Sequence, residues 1–262
     1  MSGTPGPDTA SAGDTAPVRC LAAVMPAFNE EATLETAVRR VLDSPWVQEL
    51  IVVDDGSSDR TADIAERLAA EDDRMRLVRQ PRNLGKGAAL RRGFESATAP
   101  FVVVQDADLE YDPNDFGTLL VPLLDGRADV VFGSRFIAAG PSRVLYFWHF
   151  VGNRLLTLAS NISTNLNLSD METCYKAFRR EVIQSIDLRE DRFGFEPEVT
   201  AKVAAGRWRV YEVGVSYSGR TYADGKKITW RDGFHAVSCI VRYSPVWRRR
   251  RPARTIATAP PR

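Results

Sequence analysis

The apolar and polar positions change their period along the chain, and each change marks an element. Cys20–Met25 is a short uninterrupted apolar run, Leu50–Val53 a second, Arg76–Val78 a weaker third and Phe101–Val104 a fourth. Runs of this length, bounded by turn residues, predict strands buried on both faces. Between them the spacing is helical. Ala32, Leu34, Ala37, Val38, Val41 and Leu42 predict one helix, with Asn29 as its N-cap. A second is expected from about Arg60 to Ala70, and a third opens at Asn83-Leu84-Gly85-Lys86-Gly87 and runs through Ala97. Asp112-Pro113 supplies an N-cap followed by proline at the first helical position, so another helix should start there. Strands alternating with helices over short connections predict a mostly parallel sheet with right-handed crossovers.

The second half is less regular. Asp129–Phe132 predicts a strand and leads into Gly133-Ser134-Arg135. Val144, Phe147, Trp148, Val151, Leu155, Leu158, Ala159, Ile162 and Leu166 form a helical stripe whose first part, LYFWHF, is strongly aromatic. Two readings stand for it: a helix packed on the sheet or in a dimer, or a face lying in a membrane interface. Glu196–Ala205 predicts a helix, Trp208–Tyr217 a strand, and Ile228–Tyr243 a closing amphipathic helix carrying Trp230, Phe234, Val237, Ile240 and Val241. A basic, glycine-bounded loop, Gly219–Lys227, precedes that helix.

The fourth strand runs straight into Gln105-Asp106-Ala107-Asp108. Ligands of open α/β sheets bind beyond the carboxyl ends of the strands, so two carboxylates sit where a ligand is expected. Either a divalent metal on oxygen ligands neutralises them or they belong to a solvated acidic loop. The second strand ends alike, in Asp54-Asp55-Gly56-Ser57-Ser58-Asp59. Three loops rich in Asp, Asn or Gly then share one edge of the sheet, which core packing alone does not explain.

Composition narrows the classes. At 262 residues, 44% hydrophobic and 26% charged, the chain has room for one large α/β domain. Three widely spaced cysteines, Cys20, Cys174 and Cys239, fit neither a disulfide framework nor a zinc pattern, so a reducing compartment is expected. No apolar run reaches a membrane span, and the N-terminus reads as neither a secretory signal nor a core segment. Residues 1–17 read as a disordered tail and 247–262 as a basic, mobile one that includes Arg248–Arg251. There is no Walker loop and no GxGxxG, and the only histidines are His149 and His235, so P-loop hydrolysis, dinucleotide binding and hydrolytic triads are unsupported. Nucleic acid is not an expected partner.

Four segments in register carry a resemblance. Pro26-Ala27-Phe28-Asn29-Glu30, Val53-Asp54-Asp55-Gly56-Ser57, Asn83-Leu84-Gly85-Lys86-Gly87 and Asp106-Ala107-Asp108 together resemble family 2 glycosyltransferases with the GT-A fold, over roughly Leu21 to Tyr243. Gly133-Ser134-Arg135, Asp170…Cys174-Tyr175-Lys176 and Arg220…Gly225-Lys226 make the chain similar to the dolichol- or polyprenyl-phosphate mannose and glucose synthases. The resemblance implies an α/β, Rossmann-like GT-A domain over 18–246, its mostly parallel sheet flanked by helices. Residues 18–135 would be the nucleotide-sugar half and 136–246 a C-terminal acceptor-side extension facing the membrane.

The same resemblance implies roles. Pro26, Ala27, Glu30, Asp54, Asp55 and Lys86 would line the nucleotide pocket. Asp106 and Asp108 would hold Mg²⁺ or Mn²⁺, and Asp170 would be a third carboxylate near the transferred sugar. Arg135, Lys176, Arg220 and Lys226 would meet phosphate, with Arg135 also counted as catalytic. The partners would be a nucleotide sugar (GDP-mannose or UDP-glucose), a polyprenyl phosphate and a membrane surface, with self-association open. The protein would be cytoplasmic and peripheral to the membrane. Inverting hexose transfer is the reaction implied. A hydroxyl acceptor and a non-catalytic nucleotide-sugar-binding subunit are the alternatives. Lys226-Lys227 replaces the Ser-Lys of many relatives, and Cys174-Tyr175 replaces a Gly-Phe, so sugar and lipid identity stay open.

Overall fold

The computed structural model describes residues 18–137, 146–219 and 230–248. The two expected tails, except for the backbone of 247–248, lie outside the described residues, as do Val144, Arg220, Lys226 and Lys227. The elements in chain order are β1 (Leu21–Ala27), α1 (Leu34–Leu42), β2 (Val47–Asp54), α2 (Thr61–Glu71), β3 (Met75–Arg79), α3 (Lys86–Ser96), β4 (Phe101–Val104), α4 (Phe116–Leu124), β5 (Val130–Ser134), α5 (Phe147–Thr164), β6 (Lys176–Arg179), α6 (Arg180–Ser185), α7 (Phe195–Ala205), β7 (Val210–Gly214), α8 (Trp230–Tyr243) and α9 (Pro245–Arg248).

Seven strands form one sheet in the order β3-β2-β1-β4-β6-β5-β7. The neighbours β3, β2, β1 and β4 are parallel, with Val24 of β1 paired to Ile51 on one side and Val104 on the other. The Val/Ala/Leu runs read from the sequence are these strands, and they are buried because helices cover both faces. The chain winds outward from β1 through β2 to β3, then returns to lay β4 on the other side of β1. That reversal is a topological switch point, where such sheets open a ligand crevice.

Three features depart from the sequence reading. β6 was not expected: a four-residue strand, KAFR, slips between β4 and β5 and runs antiparallel to both. Asn29 does not cap α1, which begins at Leu34; Asn29 takes a left-handed φ of 51° and its Oδ1 accepts from the Ser58 backbone N–H at 2.9 Å. The loop before α1 is used to reach the loop after β2 instead. Asp112 does cap as expected, accepting from Asn114 N at 3.0 Å, but it opens a single 3-10 turn that hands over to α4.

α5 is built inside out. Its buried residues are Thr157, Ser160, Ser163 and Thr164, while Phe147, Trp148, Leu155, Leu158 and Ile162 point to the exterior. Trp148 is 79% exposed and Ile162 73%. The small hydroxyl residues find partners inward: Thr157 Oγ1 accepts from Met171 N at 3.1 Å, and Ser163 O accepts from Ser244 Oγ at 3.2 Å. α5 packs on α8, which also turns Phe234, Val237 and Val241 outward. The aromatic stripe is therefore not a core stripe of this chain. No helix among the described residues is long and apolar enough to cross a membrane.

Candidate active site

The loops after β1 and β2 are stitched to each other. Asp55 N donates to Ala27 O at 2.8 Å, Asn29 N to Ser57 Oγ at 3.0 Å and Glu30 N to Thr61 Oγ1 at 2.8 Å. Pro26, Ala27, Glu30, Asp54 and Asp55 are thereby brought to one edge of the sheet. Asp54 is buried and accepts from Ser57 N at 3.2 Å.

Asp55 has a duty the sequence did not reveal. Its carboxylate accepts from Leu84 N at 2.8 Å, Gly85 N at 2.7 Å and Gln80 Nε2 at 2.8 Å. It holds the Asn83–Lys86 turn against the end of β2. Burial pushes its pKa up, while the two backbone N–H groups pull it back down. Gly85 takes φ +106°, and a Cβ on Gly87 would lie 2.1 Å from Glu190 O, so this turn also seats tightly on the segment before α7.

That turn delivers Lys86. Its ammonium lies 2.9 Å from Asp106 Oδ1 and 3.3 Å from Glu196 Oε1 at the start of α7. Burial works against the charged form, but Asp106, Cys174 and Glu196 outweigh it and hold the Lys86 pKa well above its ordinary value. A cation fixed between two carboxylates at the switch point is preorganised for electrostatic work. Glu196 Oε2, Glu172 Oε1 and Thr173 Oγ1 are buried and have no hydrogen-bond partner among the described residues.

Arg135 and Asp170 come together across 35 residues of sequence. Arg135 Nε and one terminal nitrogen each meet an Asp170 oxygen at 2.7 Å, and Arg135 N donates to Oδ2 at 3.1 Å. Asp170 is fully buried and Arg135 nearly so, with Tyr217 and Phe136 rings against the guanidinium. Glu212 accepts from Ser169 N at 2.8 Å and Asp170 N at 3.1 Å, which fixes the loop that carries Asp170. Both Asp170 oxygens thus serve Arg135, and Asp170 positions that cation.

Lys176 departs from expectation. It begins β6, is wholly buried, and donates to Met171 O at 3.1 Å and to Thr173 O. Burial lowers its pKa against the pull of nearby acids. With its ammonium under the Asp170–Lys176 loop, it presents no head to a phosphate. Arg220 and Lys226 lie outside the described residues.

Asp106 and Asp108 are half-buried on the turn that leaves β4, and Asp108 Oδ1 accepts from Glu110 N at 3.1 Å. Paired hard oxygen donors suit Mg²⁺ or Mn²⁺, and acids outnumber cations here, so the donor set fits such an ion. Among the described residues the two do not converge with a third His, Cys, Asp or Glu. Sequence reasoning missed Glu172, Glu196, Glu212 and Tyr217. Of these only Glu196 carried a local signal, an acid in the first turn of a helix; the others enter through tertiary contact.

Comparison with known proteins fits this geometry. The model of Glycosyl transferase family 2 matches residues 22–187. The chain is 29% identical to a polyprenol monophosphomannose synthase of Mycolicibacterium smegmatis, over 75% of this chain and 77% of that one. It is 32% identical to the glycosyltransferase AglD of Haloferax volcanii over 74% of this chain, but spans only 32% of that protein's length. Among solved structures, glucosyl-3-phosphoglycerate synthase from Mycobacterium tuberculosis, in complex with Mn²⁺, UDP and phosphoglyceric acid, superposes with a TM-score of 0.67 at 22% identity, covering 87% of this chain and 79% of that one. At that identity the likeness speaks for the GT-A fold.

Proposed function

The chain belongs to glycosyl transferase family 2 and is a glycosyltransferase, and from that premise we propose that it moves a hexose from a nucleoside diphosphate sugar to a polyprenyl monophosphate. Mannose is favoured by the mannose synthase relative, with glucose as the alternative. The observation that carries the reading is the ion pair of Lys86 with Asp106 at the switch point between β1 and β4, with Asp108 on the same turn and the stitched loops after β1 and β2 beside it.

In this reading Pro26, Ala27, Glu30 and Asp54 receive the nucleoside, and Asp55 keeps the Lys86 turn in place. Mg²⁺ or Mn²⁺ held by Asp106 and Asp108 would supply charge for the departing diphosphate. Lys86 adds a fixed cation there, and Arg135, locked by Asp170, presents a guanidinium for phosphate. Arg220 and Lys226 remain candidate phosphate contacts. The acceptor phosphate, with a second pKa of about 6, arrives largely dianionic and needs no strong base. Its oxygen forms the new bond to the anomeric carbon as the bond to the diphosphate breaks, and the electron pair leaves with the nucleotide. A single displacement inverts the configuration.

The exposed aromatic faces of α5 and α8 suit a peripheral position on the cytoplasmic membrane face, where a lipid phosphate is presented. A second reading, a hydroxyl acceptor, is favoured by the unpartnered Glu196 Oε2 and by Glu172, whose pKa is raised to about 7 by burial and by Glu196. The two separate in one assay. Purified protein with Mn²⁺ or Mg²⁺ is given a panel of labelled nucleotide sugars and a short polyprenyl phosphate, and the organic phase is counted. Label extracted only when the phosphate is present supports the lipid reading. Transfer to hydroxyl acceptors alone refutes it, and retained anomeric configuration refutes single displacement.

A further inference from the structure

A second group of chemically potent side chains lies outside the roles assigned above. Glu190, in the segment before α7, faces His235 and Cys239, which stand one turn apart on α8. Glu190 Oε2 is 3.1 Å from His235 Nε2, and Cys239 Sγ is 3.6 Å from the same nitrogen. All three atoms lie within 4.8 Å of one another. We propose that Glu190, His235 and Cys239 form a binding site for a Zn²⁺-class transition metal, with solvent as the fourth ligand.

Geometry supports an ion over a bare hydrogen-bonded trio. A tetrahedral centre with nitrogen at about 2.0–2.1 Å and sulfur at about 2.3 Å sets those two atoms about 3.5 Å apart. The observed 3.6 Å needs almost no adjustment. The two carboxylate oxygens are already divided: Tyr243 Oη donates to Oε1 at 2.8 Å and Arg242 to Oε1 at 3.2 Å, so Oε2 is the one turned to the imidazole. Outer hydrogen bonds of this kind orient a metal-binding carboxylate. Cys239 is buried while His235 is part-exposed, which gives a held sulfur and a solvent route. Binding would convert the thiol to thiolate and release its proton to solvent.

Thiolate with imidazole selects Zn²⁺, whereas the oxygen pair Asp106 and Asp108 suits harder ions, so the two sites sort metals by chemistry. The consequence is structural. Glu190 O and Asp191 O sit against Gly87 and Gly85, and Ala88 N donates to Asp191 O at 3.1 Å. An ion at Glu190 would tie α8 to the segment that buttresses the Lys86 turn.

The test uses the intact chain, first stripped with chelator and then given Zn²⁺ or Co²⁺ alone. Expected are one Zn²⁺ per chain retained through gel filtration, a thiolate-to-Co²⁺ charge-transfer band, and a raised melting temperature with one equivalent. Cys239→Ser and His235→Gln should each remove the band. X-ray absorption of the wild-type zinc form should show a single sulfur at about 2.3 Å, which needs no variant to fold. Folded wild-type protein without the band or the sulfur shell holds a hydrogen-bonded trio only and overturns the proposal. A band that survives in Cys239→Ser assigns the metal to another cysteine and overturns it equally.

Discussion

Asp170→Asn tests the buried Arg135–Asp170 pair. The change keeps the shape of the side chain but replaces the anion beneath Arg135 with a neutral amide, one face of which now points a donor at a donor. Two bonds of 2.7 Å and the backbone contact at 3.1 Å are lost or weakened, and Arg135 is left charged with little access to water. Removing one partner of a buried ion pair costs about 3–5 kcal/mol, between two and nearly four powers of ten in the folding equilibrium. Urea denaturation monitored by tryptophan fluorescence reads this directly. The second arm is Asp170→Asn with Arg135→Met, which removes both charges. Replacing both partners of such a pair is often near neutral, so the double variant should be more stable than Asp170→Asn alone. Donor affinity should change little and kcat should fall in both, because Arg135 is displaced or absent. A loss below about 1 kcal/mol in the single variant, or strict additivity in the double, would refute the idea that Asp170 exists to hold Arg135.

Glu172 sets a pH dependence. Its folded pKa of about 7 lies above an unfolded value of about 4.3, so the folded state binds the extra proton between them, and stability is fully present below pH 4 and lost as pH rises through 7. The loss is about 4 kcal/mol, and Glu172→Gln should flatten the stability curve over that interval; an unchanged slope would exclude Glu172 as its source. Gly87→Ala places a methyl 2.1 Å from Glu190 O with only backbone to yield, so a cost of about 1–3 kcal/mol and a raised KM for donor are expected in urea melts and donor titrations. Asp108→Asn should lower kcat/KM about 10²–10³-fold, the loss typical of one lost transition-state charge contact; unchanged turnover by EDTA-treated enzyme resupplied with Mn²⁺ would exclude a metal role for Asp108. Changing Phe147 and Trp148 together to Ser should lower binding to acidic liposomes at least tenfold, since each inserted aromatic contributes about 1.5–3 kcal/mol; undiminished flotation would remove α5 from the account.

The half of the fold that was legible is the half governed by local periodicity. β1, β2 and β4 announce themselves as apolar runs, the last two leading into acid, whereas the strand order that places the switch point is a tertiary property. β6 does not, because a four-residue strand opening with lysine carries no period, and its burial is imposed by β4 and β5 on either side. Lys176 was placed on phosphate by the resemblance, and only the tertiary fold shows the loop carbonyls that take up its ammonium instead. The aromatic stripe of α5 was legible as a helix, but its direction was not, since hydrophobic spacing identifies a face without saying what meets it. Asp106 and Asp108 stand out because strand ends are marked in sequence and Lys86 entered through the family resemblance, whereas the Arg135–Asp170 pairing and the Glu196 contact belong to the tertiary fold.

The grip of Asp55 on Leu84 and Gly85 has an evolutionary corollary. In the proposed reading, a residue that at once borders the nucleotide pocket and anchors the neighbouring turn is not at liberty to drift with the identity of the donor. Any exchange there would slacken the mounting of Lys86 before it altered which base is preferred. Relatives that accept a different nucleotide should therefore have diverged at the rim, around Pro26 and Glu30, and kept the anchor.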